Sequence, residues 1–196
     1  MPAAAQITPT PLPPPSGLGG TIVGWGGADM DSDGFIQVVT IPLNGGGAYT
    51  DVSGDRRGQF VTATSLSNII YTRYVVDTFT TDLQTLDATN GTTDILGSRW
   101  LNFPQVFYRA TTPQFSTDGN RVVFAAYVDN TQSYEVYLYE ATITGADPIR
   151  RITNDDKNYS YPVIHPNGRQ IIAVRSDGVG NTARNQDLVL IDLETF

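Results

Sequence analysis

The stretch PQFSTDGNRVVF, Pro113–Phe124, returns as PVIHPNGRQIIA at Pro162–Ala173. The copies pair Pro113 with Pro162, Phe115 with Ile164, Asp118 with Asn167, Gly119 with Gly168, and Val122-Val123 with Ile171-Ile172. A third copy, PPPSGLGGTIVGW, places Pro13, Ser16, Gly19, Ile22 and Val23 at the same positions, and VTATSLSNIIYTRY supplies a fourth through Ile69 and Ile70. Each copy is followed by a loop aspartate, Asp29, Asp77, Asp129 or Asp177, and then by a second apolar strand. A unit recurring every ~50 residues cannot bury both of its own faces, so successive units must stack on one another.

Within a unit the apolar residues alternate. NRVVFAAYV, YEVYLYEATI, RQIIAVRS and DLVLIDL are β-branched or aromatic runs separated by Gly, Asn and Asp, and no stretch has the period of an amphipathic helix. The Asp118-Gly119 and Asn167-Gly168 pairs predict tight hairpins of type I′, because glycine reaches positive φ without steric cost. The fold class is therefore all-β: a β-propeller of about four blade-like antiparallel sheets, with terminal strand exchange as a way of completing them, or, since four is at the small end of the ~4–8 blades usual for propellers, part of a larger ring. The units run 13–52, 53–100, 101–155 and 156–196, behind an N-terminal Pro-rich arm, 1–12.

The pattern in 112–193, a Pro, a Ser-x-Asp-Gly turn, an apolar strand, an Asp loop, a Tyr- or Leu-rich strand and a closing Thr, resembles the TolB-like (WD40-like) propeller repeat family. Thr117 replaces the turn proline in one copy, and His165 with Asn167 alters the other. The resemblance implies a propeller used mainly for protein contacts, often with no catalysis of its own.

Charge and composition narrow the partners. The net charge is −8 and Lys157 is the only lysine, which argues against nucleic acid. There is no cysteine, so disulfides and thiolate chemistry are excluded. No apolar run approaches the ~20 residues of a membrane span, and PAAAQ after Met1 lacks the basic and apolar regions of a signal peptide. Sequons at Asn90 (NGT) and Asn158 (NYS), with abundant Thr, Asn and Gly, point to an extracellular or cell-envelope protein and make both asparagines glycosylation candidates.

Catalytic material is sparse. His165 is the only histidine and stands at a turn position, where it reads as capping its own backbone. The best cation site is the loop DMDSDGFI: Asp29, Asp31 and Asp33 alternate before Gly34, as in calcium loops, although Thr40 occupies the twelfth position where a bidentate Glu would stand. Calcium is thus the one cofactor expected. Arg56-Arg57 and Arg150-Arg151 read as solvated charges or partners of nearby acids, and Trp25, Trp100, Tyr108 and Tyr159 are the aromatics available to a glycan.

The ends carry the last expectation. The fourth unit stops after DLVLIDL, whereas the third continues into PIRRIT, and AQIT at Ala5–Thr8 resembles RRIT. Gln6, Ile7 and Thr8 are therefore expected to add as an edge strand to a fourth unit, of the same chain or of a neighbour, the second giving a homo-oligomer or filament. The expected function is a non-enzymatic extracellular module that binds a protein partner or copies of itself. The alternatives are an accessory or substrate-gating propeller of a larger envelope enzyme, and a glycan-binding propeller.

Overall fold

The computed structural model describes residues 21–26, 37–42, 50–51, 58–75, 80–90, 92–95, 107–128, 133–140, 149–177 and 184–194. The first sheet contains β1 (Thr21–Gly26), β2 (Gln37–Pro42) and β3 (Thr50–Asp51). The second contains β4 (Gly58–Ser65), β5 (Asn68–Val75), β6 (Thr80–Asp87) and β7 (Thr92–Ile95). The third has β8 (Phe107–Phe115), β9 (Arg121–Val128), β10 (Tyr134–Glu140) and β11 (Ile149–Arg151). The fourth has β12 (Asn158–Ile164), β13 (Gln170–Asp177) and β14 (Arg184–Asp192). All four are antiparallel meanders in chain order, and no helix occurs among the described residues.

Alternation along each strand sends neighbouring residues to opposite faces, so one sheet serves two interfaces. In β9, Val122 and Phe124 face the second sheet and join Ile70, Leu83, Tyr137 and Tyr139. Val123 faces the fourth sheet with Val136 and Leu138, against Ile164, Ile171, Ala173 and Ile191. Val23 and Val38 of the first sheet meet Ile69, Tyr71 and Leu86 of the second. The cores thus join first to second, second to third and third to fourth. Among the described residues the sheets form an open array, and no core joins the first to the fourth.

The repeat register locates each strand within its unit. Val123 pairs with Leu138, and its repeat equivalent Ile172 pairs with Leu190. The fourth sheet therefore holds the first three strand positions of the repeat. Alignment of Ile22 with Val122 gives the first sheet the last three. Among the described residues only the second and third sheets show all four.

The turns correct one expectation. Gly119 and Gly168 both have φ of 72°, and each donates its N–H three residues back, Gly119 to Ser116 O and Gly168 to His165 O. Asp118 and Asn167 are absent from the residues with positive φ, so the turn is not type I′. It closes one residue earlier, with glycine as the single left-handed residue after it. The side chains supply the reason: Asp118 Oδ1 accepts from the N–H of Asn120, and Asn167 Oδ1 accepts from that of Arg169, which holds Asp and Asn before the glycine.

Candidate interaction surfaces

Three repeats place the same irregularity at the same point. The first strands β4, β8 and β12 each carry a bulge, between Gln59 and Thr62, Thr111 and Gln114, and Ser160 and Val163. The bulged residues are Phe60, Thr112 and Tyr161, with φ of 46°, 49° and 51°. Non-glycine residues seldom occupy this region, and a bulge re-aims the side chains around it. Here β8 packs beside both β4 and β12, and the three bulges line a cavity of about 270 Å³ with Val61, Pro113, Gln114 and Val163. Thr112 Oγ1 is buried beside it without a hydrogen-bond partner. The cavity can take a small, largely apolar group that presents one polar atom to that hydroxyl.

The second surface is the outer edge and free face of the fourth sheet. β14 is an edge strand among the described residues. In the third sheet the corresponding strand, β10, is covered by β11 in the register Tyr137↔Arg151, Leu138↔Arg150, Tyr139↔Ile149. Beyond β11 the chain continues to bond: Ile152 N–H donates to Val136 O at 2.8 Å, and Thr153 Oγ1 accepts from Val136 N–H at 2.9 Å. Glu135, fully buried, receives Ser133 Oγ and Thr153 Oγ1 and pairs with Arg151. The repeat equivalent of Glu135 in the fourth sheet is Asp187, exposed and 3.5 Å from Arg175 Nη2.

Two loop clusters are electrostatically defined. Lys157 Nζ donates to Asp177 Oδ1 at 2.8 Å, and Asn185 Nδ2 donates to Asp177 Oδ2 at 3.0 Å. These bonds, Lys157's first, hold the Asp177 carboxyl below the usual carboxylate range, while the bond to Asp177 raises the Lys157 ammonium. Ser116 Oγ donates to Asp118 and lowers its carboxyl in turn.

No family model matches the sequence, and no curated protein matches it. Solved structures do match in fold. A TolB-type protein from Agrobacterium tumefaciens superposes with a TM-score of 0.66 at 15% identity, over 89% of this chain and 58% of that one. TolB from Acinetobacter baumannii gives 0.56 at 13% identity, over 82% of this chain and 36% of that one. An oligogalacturonate lyase in complex with manganese gives 0.53 at 13% identity, over 80% and 41%. The fold is that of the TolB-like β-propellers. This chain spans 58% of the length of the Agrobacterium protein, and at these identities the likeness concerns the fold alone.

Within this TolB-like frame the residues singled out from sequence divide into two groups. Asp29, Asp31 and Asp33, the arm residues Gln6, Ile7 and Thr8, Trp100 and Arg56-Arg57 lie outside the described residues. Among the rest, His165 does what its turn position suggested: its Nδ1 accepts from the N–H of Asn167 at 3.2 Å. Arg151 is the partner of a nearby acid, Glu135, and Arg150 is exposed.

Asn90 stands exposed in the turn after β6, with Nδ2 donating to Asp87 Oδ2. Asn158 is buried, and its Oδ1 accepts from the N–H of Tyr134 at 2.9 Å, so its amide ties the fourth sheet to the third. Tyr159, considered as a glycan aromatic, is instead core: its ring packs between the third and fourth sheets and its hydroxyl donates to Asp155 Oδ2 at 2.9 Å. The three bulges were missed. Two of them precede a proline, Thr112-Pro113 and Tyr161-Pro162, but a residue before proline is pushed toward extended φ/ψ, so the proline does not announce a positive φ.

Proposed function

We propose that this chain is a non-enzymatic TolB-like propeller module of the cell envelope or exterior that binds protein, including copies of itself. The observation that carries this reading is the edge of β14, which no strand covers among the described residues, in a repeat whose third unit covers the same edge with β11. Exposed strand edges are templates for a further strand.

The chain contains a segment suited to that edge. Aligned on RRIT, Gln6 takes the place of Arg151, Ile7 of Ile152 and Thr8 of Thr153, and Leu188 takes the place of Val136. By the bonds of the third unit, Ile7 N–H would donate to Leu188 O, and Thr8 Oγ1 would accept from Leu188 N–H. The prolines between Pro9 and Pro15 stiffen the path back to the same chain and favour a neighbour as donor. Deleting residues 1–12 tests this. Dissociation into folded monomers is the expected result, and assembled particles that survive the deletion exclude the arm as the link.

A second reading, binding of a glycan or other small ligand, draws on the cavity at the three bulges and the unpartnered Thr112 hydroxyl. Calorimetric titration with neutral and acidic oligosaccharides tests it, and an absence of heat at millimolar ligand removes it.

A further inference from the structure

We propose that the cavity at the three bulges binds a neutral aromatic ring bearing a single hydroxyl, a phenol-type group. The proposal rests on the small-ligand reading above and names the ligand within it.

The site is built by repetition. Phe60, Thr112 and Tyr161 occupy one bulge position in three successive units, with φ of 46°, 49° and 51°, and all three line the cavity. Because β8 packs beside both β4 and β12, Thr112 stands between the other two. A positive φ is an outlier for a β-branched residue, and such strain persists only where the surroundings fix it. Thr112 carries a second cost. It is 9% exposed, and its Oγ1 is buried with no hydrogen-bond partner in the chain, whereas buried hydroxyls almost always have one. A hydrogen-bonding atom brought into the cavity would answer that hydroxyl.

The lining sets the chemistry. Among the described residues it contains no charged side chain, so a carboxylate, phosphate or ammonium group would lose its hydration without compensation. A sugar fares little better, since hydroxyls surround its ring and each one buried unpaired is costly. The polar side chains available are Thr112, Gln114 and the Tyr161 hydroxyl. The rest of the lining is apolar: Phe60, Val61, Pro113 and Val163. Phe60 and Tyr161, from the sheets on either side of Thr112, suit a third ring, because aromatic groups gain from edge and offset-face contacts beyond the area they bury. At about 270 Å³ the cavity is smaller than the ~300–1,000 Å³ that hold drug-sized ligands, which fits one ring and not several. A phenol hydroxyl both donates and accepts, so it satisfies Thr112 Oγ1 in either orientation of that hydroxyl. Such a ring belongs to a free small molecule or to a tyrosine side chain of a protein, and the chemistry recognised is the same.

The test uses the full chain and p-cresol, with binding read by calorimetry and ligand-observed NMR. Binding in the millimolar range or tighter is expected, with toluene, which lacks the hydroxyl, ~10-fold weaker. Thr112→Val keeps the shape and the branching and removes the hydroxyl; it is expected to weaken p-cresol ~10-fold and to leave toluene unchanged. A merely structural role for Thr112 would not produce that difference. Val163→Phe, at a position 46% exposed, narrows the cavity and is expected to weaken both probes. Absence of p-cresol binding at millimolar concentration, or binding that neither substitution weakens, overturns the proposal. Equal binding of toluene and p-cresol to the wild type does so as well. An oligosaccharide that binds and is lost in Thr112→Val, while p-cresol gives no heat, keeps the small-ligand reading and removes this one; no binding of either removes both. N-acetyltyrosinamide separates the sources. Binding at least as tight as that of p-cresol assigns the ring to a tyrosine of a protein, weaker binding assigns it to a free phenol, and either result keeps the ligand class.

Discussion

Glu135 Oε1 lies 3.0 Å from Arg151 Nη2, so a carboxylate with no exposed surface at the start of β10 is held by the guanidinium at the end of β11. Ser133 Oγ and Thr153 Oγ1 also donate to it, and Arg151 Nε is fixed by Thr153 O at 2.8 Å. The cluster anchors the outer strand of the third sheet where the chain crosses to the fourth. Removing one partner of a buried pair leaves the other uncompensated, which costs ~3–5 kcal/mol. Arg151→Ala is therefore expected to destabilise strongly, and Glu135→Gln less, because the hydroxyl donors keep an acceptor. Urea denaturation measures both, and a loss below ~1 kcal/mol for Arg151→Ala would contradict this account.

Gly119→Ala and Gly168→Ala test the turns. Both sites have φ of 72°, where an L side chain costs ~1–2 kcal/mol. The two differ in what a Cβ would meet: Thr64 Cγ2 at 3.4 Å for Gly119, but Arg121 Nη2 at 2.5 Å for Gly168. Arg121 Nη1 donates to Gly168 O at 2.6 Å and so ties the third sheet to the fourth. Gly168→Ala is expected to be the costlier change, because it displaces that tie as well. In an Arg121→Ala background the two costs should converge, and a persistent difference in melting temperature would refute the explanation.

Strand identity and sheet order were legible because strands with one face on each neighbour need period-two apolar runs, and proline, Asp-Gly and Asn-Gly punctuate them. The turn type was not, since the same dipeptide serves two geometries, and Asp118 bonding to the Asn120 N–H decides between them. The bulges at Phe60, Thr112 and Tyr161 lack the glycine that would announce positive φ. They also shift strand phase, so that Tyr159 and Pro162 are both buried although three residues apart, which alternation alone does not anticipate. Glu135 reads as an outward charge in YEVYLYE and is buried only because Arg151 and Thr153 arrive from residues 16 and 18 positions later. The arm and the Asp29 loop, where sequence reasoning placed the strongest chemistry, fall outside the described residues.

Stability should fall at both ends of the pH scale. Asp87, Asp118 and Asp177 have carboxyls lowered by hydrogen bonds, from Thr89, Ser116 and Lys157 respectively. Their contribution is present above the ordinary carboxylate value of ~3.9 and is lost as pH falls below it, because the unfolded state then binds more protons. On the alkaline side, burial pushes the Tyr137 hydroxyl up to about 12, and burial with the bond to Asp155 raises Tyr159. The unfolded tyrosines lose protons from pH ~10, so stability declines between there and the raised folded values. Thermal melts from pH 3 to 11 check the shape. Asp177→Asn is expected to flatten part of the acid limb, and Tyr159→Phe part of the alkaline one.

Tyr161 is 64% exposed yet held at φ of 51°. Replacing it by glycine removes the strain at the cost of little packing, since most of the ring faces solvent. Tyr161→Gly is expected to melt at or slightly above the wild-type temperature. A fall of several degrees would mean that the ring supports the cavity it borders.

The carboxylate loop gives the last prediction. Gly26 and Gln37 pair as the closing residues of the β1–β2 hairpin, so the segment with Asp29, Asp31 and Asp33 has its two ends held side by side. Three carboxylates within five residues of sequence repel one another unless a cation neutralises them, and oxygen donors of this kind suit calcium. A ligand bound only by the folded chain stabilises it by mass action, by ~2.7 kcal/mol at a hundredfold excess over its dissociation constant. Calcium is therefore expected to raise the melting temperature of the full chain and a chelator to reverse the rise, with the effect abolished in Asp31→Asn/Asp33→Asn. Because Asp→Asn also relieves the repulsion, the calcium-free double variant should melt above the calcium-free wild type. An unchanged melting temperature at millimolar calcium retires the site, and an equal rise in the double variant places calcium elsewhere.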